Sequence, residues 1–280
     1  MTTFLLWNVQ NKQLDGHIVS LVRQHNVDVL LLIECPKPDH TPFMQLNAVR
    51  PFQRVTTHDR FGVYVSFDNA VMVRISLPTS NDRVDCWDVK LSKKNRLLLV
   101  LVHGLDMINY CDEERSLFFD RVRTDVRWIE ENDPAVGHKQ TVVLGDFNAN
   151  PFEAMIGGIR GLHALRVKDV GGRQTRSVQR QDYEFFCNPM WSCYKGWEKS
   201  PSGTHYYNGS GVHEVFWHML DQVVLRPQAL HMFSEKTLRV LTEAGNISLL
   251  TNRGLPDRTN ASDHLPVLFK LNLNAKVDHA

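Results

Sequence analysis

The sequence has few cysteines and no long apolar run, and both absences exclude classes of protein. The five cysteines among the 280 residues are scattered and form no CxxC pair, so neither a disulfide framework nor a zinc ribbon is predicted. No stretch approaches the ~20 apolar residues of a membrane span, and the N-terminus lacks the basic and apolar regions of a secretory signal. We therefore expect a cytoplasmic protein that makes no use of a membrane.

An excess of charge of either sign is also absent. Lys and Arg number 32 against 31 for Asp and Glu, which gives a net charge of +1. The chain as a whole therefore does not attract polyanions, and any contact with nucleic acid has to be local. Repeats, low-complexity tracts and Pro-rich linkers are absent too, so the 42% hydrophobic content predicts one large domain over residues 1–280.

Short apolar runs make up most of the predicted secondary structure. The helical spacing of Leu14, Ile18 and Leu21 predicts a helix after the first strand, and a long amphipathic helix is predicted over 112–133. The apolar face of this long helix is assigned to Leu117, Phe118, Val122, Val126 and Ile129. The predicted strands are TFLLWNV, VDVLLLIE, FGVYVSF, AVMVRISL, VDCWDVKL, RLLLVLVH, KQTVVLG, LDQVVL and PVLFKLNL. Their number indicates more than one sheet.

Polar residues stand at the ends of the apolar runs. Any one of them has an ordinary interpretation as a solvated turn residue or cap. Together they suggest more, because strand ends in layered sheet proteins converge on one crevice, where carboxylates, amides and histidines suit a divalent cation and a phosphate. The residues concerned are Asn8, Glu34, His103, Asp146, Asn148, Asp221, Asp263 and His264.

The motifs that carry these residues resemble those of a known superfamily. The segments WNVQN, LLLIE, LVLVHG, VVLGDFNANP, LDQVVL and SDHLPV occur in this order between Trp7 and Val267. They resemble the endonuclease/exonuclease/phosphatase superfamily, which includes pancreatic-type deoxyribonuclease and the abasic-site endonucleases. The resemblance implies an α/β fold, a four-layer sandwich in which two mixed β-sheets pack face to face with helices outside.

The resemblance implies a metal site. Glu34 would be the principal metal ligand, with Asn8 and Asp263 as further ligands or supports. Mg²⁺ keeps several waters and takes few carboxylates, which fits so sparse a set of oxygen ligands. We therefore expect Mg²⁺ as the cofactor, with Mn²⁺ as the alternative.

The resemblance also implies catalytic roles. Asp146 would orient or deprotonate the attacking water, and Asn148 would donate a hydrogen bond to a phosphoryl oxygen. His264 would pair with the phosphate, and Asp221 would hold its imidazole in one orientation. His103 matches the imidazole of the deoxyribonuclease branch.

Residues 159–217 contain the candidates for substrate binding. Periodicity is poor there, so we expect long ordered loops. Basic residues are frequent near its start and aromatic residues follow, a combination that suits the backbone and bases of single strands. A solvated charged face and ordinary core aromatics are the alternative interpretation. The basic residues are Arg160, Arg166, Lys168, Arg173, Arg176 and Arg180, against the single Asp169; the aromatic ones are Phe185, Phe186, Trp191, Tyr194, Trp197, Tyr206, Tyr207 and Trp217. We select Arg173, Arg176, Trp191 and Tyr206.

Three functions are compatible with these observations. The first is a metal-dependent nuclease acting on DNA or, less favoured, RNA, which the basic residues support. The second is a phosphatase or phosphodiesterase of a small phosphorylated metabolite or signalling nucleotide, which the near-neutral charge and the aromatic residues support. The third is a binding module that has lost catalysis, which the intact set of polar residues disfavours. The Cys-Asp-Arg core of phosphoinositide phosphatases and the Arg-x-Asp-Tyr pattern of abasic endonucleases are both missing.

Overall fold

A computed structural model of the chain describes residues 1–36, 43–55, 59–66, 71–79, 81–90, 96–166, 173–194, 201–209 and 215–273. Of the residues considered above, Lys168, Asp169 and Trp197 lie outside these ranges. The described α-helices are α1 (Asp15–His25), α2 (Phe43–Asn47), α3 (Asp112–Asn132) and α4 (Ala154–Gly157). None of them has the length and apolar content needed to cross a membrane.

Most of the described strands are short. They are β1 (Thr2–Asn8), β2 (Val29–Ile33), β3 (Gln53–Arg54), β4 (Phe61–Val65), β5 (Val71–Arg74), β6 (Val84–Lys90), β7 (Arg96–His103), β8 (Thr141–Asp146), β9 (Ala164–Leu165), β10 (Thr175–Val178), β11 (Gln181–Glu184), β12 (Phe186–Cys187), β13 (His205–Tyr207), β14 (Phe216–His218), β15 (Asp221–Leu225), β16 (Arg239–Val240), β17 (Glu243–Ala244), β18 (Ile247–Ser248) and β19 (Val267–Leu271). Short 3₁₀ turns cover Pro189–Cys193, Pro227–Met232 and Glu235–Thr237.

The chain divides into two compact units. The first unit comprises residues 1–69, 193–221 and 234–272, and the second comprises 70–192, 222–233 and 273–280. Each unit contains one large mixed sheet, so the α/β class with two mixed sheets is confirmed. The prediction of a single catalytic domain over 1–280 stays a prediction.

The first unit is built on a sheet of six strands in the order β16-β19-β1-β2-β4-β3. Strands β1 and β2 run parallel, and the neighbouring pairs are antiparallel. Every residue of β2 is buried, because strands in the middle of a covered sheet need apolar side chains on both faces. Helix α1 packs Ile18, Leu21 and Val22 into the core cluster that contains Leu30 and Leu32 of β2.

The second unit is built on a sheet of seven strands in the order β5-β6-β7-β8-β15-β12-β9. Strands β7 and β8 run parallel at its centre. Helix α3 begins after a capping box formed by Cys111 and Glu114, and it ends before Asp133-Pro134, as the sequence predicts. Phe118, Val122, Val126 and Ile129 of α3 are buried in the core with β7, as the sequence predicts for the apolar face of this helix.

Two predictions of local structure were wrong. Leu117 was placed on the apolar face of α3, but its side chain is 50% exposed. One residue corresponds to a 100° rotation around a helix, so Leu117 and Phe118 face different directions. The loops expected over 159–217 contain short strands, including a hairpin of β10 and β11 with Gln179 and Arg180 at positive φ in its turn. These strands are mostly polar and lack the apolar alternation that predicts a strand.

Candidate active site

In the first unit, the parallel pair β1 and β2 places two of the predicted residues at one end of the sheet. Asn8 ends β1 and is paired in register with Ile33, and Glu34 follows Ile33 directly. The carboxyl ends of parallel strands form one edge, so the amide and the carboxylate are neighbours. The Nδ2 group of Asn8 donates to Glu34 Oε1 over 3.2 Å.

The Glu34 carboxylate is held by amide groups on both oxygens. Asn11 donates through Nδ2 to Glu34 Oε2 over 3.3 Å. Glu34 has φ of 49°, and Gln10 and Asn11 also have positive φ. Such conformations cost non-glycine residues of order 1–3 kcal/mol each and concentrate at functional sites. Glu34 is half-buried, so its oxygens combine restraint with access to solvent.

Asp263 is held in a similar way by a residue that sequence reasoning missed. Gln10 donates through Nε2 to Asp263 Oδ2 over 2.8 Å. The neighbouring Ser262 donates through Oγ to the carbonyl of Asn8 over 2.7 Å. The loop of Asp263 is thereby tied to the strand of Asn8, and the third predicted metal residue lies beside the other two.

The cysteine next to Glu34 does not contribute a thiolate. Cys35 is buried, and this burial raises the pKa of its thiol to about 11. The thiol is therefore neutral near pH 7, and thiolates rather than thiols bind metals. The donors that Asn8, Glu34 and Asp263 offer are oxygens, which are the ligands that Mg²⁺ prefers.

His264 is oriented by Asp221, in the contact that the sequence reasoning expected. Its Nδ1 lies 2.7 Å from Asp221 Oδ2, and the Asp221 side chain is fully buried. A carboxylate on Nδ1 keeps a proton on that nitrogen and leaves Nε2 as the reactive atom. The backbone is fixed as well, because Trp7 donates through Nε1 to the His264 carbonyl over 2.8 Å.

A second imidazole packs against His264. His205 begins β13, forms a β-bridge with His264, and its ring centroid lies 4.7 Å from that of His264. Thr204, the residue before it, accepts the backbone N–H of Asp221 at Oγ1 over 3.0 Å. Sequence reasoning missed both residues, because nothing in the local pattern indicates that β13 lies against the SDH segment.

In the second unit, the parallel pair β7 and β8 places His103 opposite Asp146 in register. Both side chains are buried, with exposed fractions of 6% and 1%. Two glycines let the backbones approach here. A Cβ on Gly145 would lie 1.8 Å from the Val102 carbonyl oxygen, and one on Gly104 would lie 2.1 Å from the Phe147 carbonyl oxygen. The glycine of the GDFN motif is therefore required for packing.

Asn148 follows Asp146 in a strained turn. Its φ is 50°, and its backbone N–H donates to Asp146 Oδ1 over 2.9 Å. Its side-chain Nδ2 donates to the Gly104 carbonyl over 3.2 Å, which occupies one of two N–H groups on that nitrogen. The turn thus fixes the direction of the Asp146 carboxylate.

Arg115 connects the loops that follow β7 and β8, and sequence reasoning did not single it out. It is 3% exposed on α3. Its guanidinium donates to the Leu105 carbonyl over 3.3 Å, to the Asn148 carbonyl over 2.6 Å and to Glu153 over 3.0 Å. An arginine in a helix resembles any surface residue in sequence, so only the fold identifies this role.

The candidates for substrate binding fall into both units. In the second, Arg173 and Arg176 are exposed, and Trp191 is half-buried with the Arg166 guanidinium 6.0 Å from its ring centroid. In the first, Tyr206 of β13 is half-buried with its ring edge-on to Trp217 at 5.4 Å. Phe185 and Phe186 are buried in the core, which agrees with the alternative interpretation that these aromatics are ordinary core residues.

Each unit thus carries groups that bind divalent cations in proteins. The first offers the carboxylates of Glu34 and Asp221 and the imidazole of His264, and the second offers the carboxylate of Asp146 and the imidazole of His103. Cys187 and Cys193, which flank NPMWS, are buried, and burial raises the pKa of the Cys187 thiol to about 11.

Solved structures of TDP2, an AP endonuclease and a 3' phosphatase have a similar fold. D. rerio TDP2 complexed with a single-strand DNA product is 15% identical with a TM-score of 0.59, over 97% of this chain and 98% of that chain. An AP endonuclease from Archaeoglobus fulgidus is 12% identical with a TM-score of 0.55, over 97% and 100%. The 3' phosphatase NExo from Neisseria, bound to a product DNA hairpin, is 15% identical with a TM-score of 0.54, over 97% and 99%. At these identities the likeness shows the fold.

Sequence comparison identifies the family. No curated protein sequence matches the chain significantly. The profile of the Endonuclease/Exonuclease/phosphatase family matches residues 5–264, a range that contains all the polar strand-end residues described above. The chain therefore belongs to the Endonuclease/Exonuclease/phosphatase family, whose members are hydrolytic phosphoesterases.

Proposed function

We propose that this protein is a Mg²⁺-dependent phosphodiester hydrolase that acts on nucleic acid, with DNA as the favoured substrate and RNA as the second choice. The observation that carries the proposal is the occurrence of acids, amides and imidazoles at the carboxyl ends of the central parallel pair in both units. Both sets of side chains serve one reaction in this proposal. Mn²⁺ is the alternative cofactor.

The first unit holds the metal ion in this proposal. Glu34, Asn8 and Asp263 would be its protein ligands or supports, and the amides of Asn11 and Gln10 restrain the two carboxylates. A divalent cation bound there would supply positive charge beside the phosphate and the leaving oxygen. Few protein ligands and a half-buried position suit a metal ion that keeps part of its hydration.

The second unit supplies the base. The carboxylate of Asp146 would orient the attacking water and take its proton, while the backbone N–H of Asn148 keeps the carboxylate in one direction. The remaining N–H of the Asn148 side chain would donate to a phosphoryl oxygen. His103 would donate a proton or hydrogen bond to the leaving oxygen.

His264 would contact the phosphate through Nε2. Because Asp221 accepts from Nδ1 and is fully buried, the imidazole is fixed in tautomer and direction. An oriented imidazole can donate a hydrogen bond where negative charge develops on the phosphate.

Nucleic acid is the favoured substrate class for two reasons. The similar structures of TDP2 and NExo contain a DNA product. This is evidence about those proteins, and it supports the proposal that this protein acts on nucleic acid. Arg173 and Arg176 are exposed and have no carboxylate partner among the described residues, so they are available to phosphates outside the scissile one. We include Trp191 and Tyr206 as stacking candidates.

A small phosphoester is the second candidate substrate. The observation that favours it is the group of half-buried and exposed aromatics on β13 and β14, where Tyr206 lies 6.1 Å from Phe216 and 5.4 Å from Trp217 between ring centroids. Such a group can enclose part of a compact ligand.

A substrate panel tests the proposal. Labelled single- and double-stranded DNA, RNA, phosphomonoesters and small diesters are each incubated with Mg²⁺, Mn²⁺ or EDTA, and with the Asp146→Asn variant as the matched control. We expect cleavage of polynucleotides with either metal, and none with EDTA or the variant. Turnover of small phosphoesters alone would favour the second candidate, and EDTA-resistant turnover would contradict the metal site.

A further inference from the structure

A cavity lies in the second unit, outside the residues assigned to catalysis. Its volume is ≈ 420 Å³, and it is formed by Thr79, residues 81–83, the loop over 105–110 and the first turns of α3. This volume is within the range of about 300–1,000 Å³ found for ligand sites. One of its lining residues, Arg83, donates through Nη1 to the carbonyl of Gly104 over 3.1 Å. The cavity is thus connected to the loop that begins at His103.

One wall of the cavity suits a flat ring. Tyr110 is half-buried and its ring lies 5.7 Å from the guanidinium carbon of Arg83. Leu117, which is 50% exposed, and the half-buried Leu105 add apolar surface. An exposed leucine is unremarkable alone, but here it lines a concave site together with an aromatic ring. A planar group between these side chains would cover all three.

The charges of the cavity suit a ligand with one phosphate. Arg121 has no ion pair or hydrogen bond among the described residues, and Arg83 is already bound to a carbonyl. Asp82 and Glu114 are also in the lining, and Glu114 is fixed by the backbone N–H of Cys111 over 2.9 Å. Two carboxylates repel a polyphosphate, whereas they can accept hydrogen bonds from the amino group of a base. One uncommitted guanidinium matches one phosphodiester.

We propose that this cavity binds one nucleotide of a polynucleotide substrate, at a position other than the scissile phosphate. The base lies against Tyr110 and Leu117, and its phosphate contacts Arg121. This inference rests on the proposed function, because it assigns a second substrate contact to the same reaction. It adds a contact that neither the sequence motifs nor Arg173 and Arg176 provide.

Direct binding tests this site without requiring turnover. A labelled single-stranded oligonucleotide is titrated with the full chain in EDTA, at several salt concentrations, for wild type, Arg121→Gln and Tyr110→Leu. Arg127→Gln is the matched control, since Arg127 lies on the same helix but is paired with Glu131 at 3.1 Å. Arg121→Gln should reduce the steepness of log K against log salt by about 0.7, the value for one phosphate contact on a single strand. Tyr110→Leu should raise Kd about 5- to 160-fold, as for the loss of one stacked base.

The outcomes separate this inference from the proposed function. If both cavity variants bind the oligonucleotide like Arg127→Gln, or if wild type does not bind it, the nucleotide site is wrong. If wild type fails to hydrolyse both the oligonucleotide and bis(4-nitrophenyl) phosphate with Mg²⁺ or Mn²⁺, the proposed function is wrong, whatever the binding result. Melting temperatures of the variants verify folding, and substitution of the exposed Arg121 leaves a folded protein even if Tyr110→Leu does not.

Discussion

The two units place polar side chains at the same position of their central sheets, but the surroundings of these side chains differ. In each, the carboxyl ends of the central parallel strands present polar side chains, Asn8 with Glu34 in the first unit and His103 with Asp146 in the second. The Glu34 carboxylate is half-buried and contacts side-chain amides, whereas Asp146 is 1% exposed and contacts a backbone N–H.

We infer from this difference that the two carboxylates have different roles. A half-buried carboxylate held by neutral amides keeps its access to a hydrated cation. A buried carboxylate in a fixed turn keeps one direction, which suits proton transfer from a positioned water. We therefore propose that the first unit binds the metal ion and that the second supplies the general base. The first three substitutions below test these roles, and the fourth tests contact with the substrate.

The largest effect is expected from Asp146→Asn. It removes the base and leaves the volume of the side chain unchanged, so kcat should fall by about 10²- to 10⁴-fold. The steady-state turnover of a labelled oligonucleotide measures kcat. Asp182→Asn, on the exposed β11 of the same unit, is the control and should retain wild-type kcat. A near-wild-type kcat for Asp146→Asn would remove Asp146 from the mechanism.

Glu34→Gln should weaken the metal ion and abolish turnover at limiting Mg²⁺. The loss of Mg²⁺ affinity should exceed the roughly 10- to 100-fold typical of residues around a metal site, because a ligand itself is lost. Titration calorimetry and the Mg²⁺ dependence of kcat measure it. Glu243→Gln, an exposed carboxylate of the first unit, is the control. Unchanged turnover of Glu34→Gln at limiting Mg²⁺ contradicts the ligand assignment.

Gln10→Ala should have a smaller effect through Asp263. Loss of its 2.8 Å hydrogen bond frees the Asp263 carboxylate, so Mg²⁺ affinity should fall about 10- to 100-fold while kcat at saturating Mg²⁺ changes less. The same Mg²⁺ titration measures the Mg²⁺ affinity and the kcat at saturating Mg²⁺ separately. The neighbouring Gln13→Ala is the control, since Gln13 is exposed. Equal Mg²⁺ dependence in the two variants would mean that Gln10 does not position Asp263.

The smallest effect is expected from replacing Arg173 and Arg176 together with Ala. Loss of two phosphate contacts should reduce the slope of log K against log salt by about 1.4 for single strands and raise KM. Binding titrations at several salt concentrations measure the slope. The control is the replacement of Arg23 and Arg127, which lie on α1 and α3, with Ala. An unaltered slope on every polynucleotide would favour a small phosphoester as the substrate.

The sequence predicted the large elements and the strand-end residues because both depend on local patterns. Continuous apolar runs such as VLLLI give buried strands, and polar residues that follow them lie at the sheet edge by geometry alone. The contact between Asp221 and His264 was anticipated through the family resemblance, since the two residues are 43 positions apart.

The residues that sequence reasoning missed act through distant contacts. Gln10 reaches Asp263 across 253 positions, and Arg115 joins loops whose neighbourhood depends on the packing of α3. No local pattern distinguishes them from surface residues. The exposure of Leu117 was missed for a related reason, because a leucine in an amphipathic helix is assigned to the core by default.

The central claim is that Glu34 and Asp146, from different units, serve one reaction. Its most direct test is the kcat/KM of wild type, Glu34→Gln, Asp146→Asn and the double variant for one oligonucleotide at saturating Mg²⁺. Residues that act in one mechanism are strongly non-additive, so the double variant should fall little below the more damaged single variant. Losses that multiply in the double variant, as for independent sites, would contradict the account.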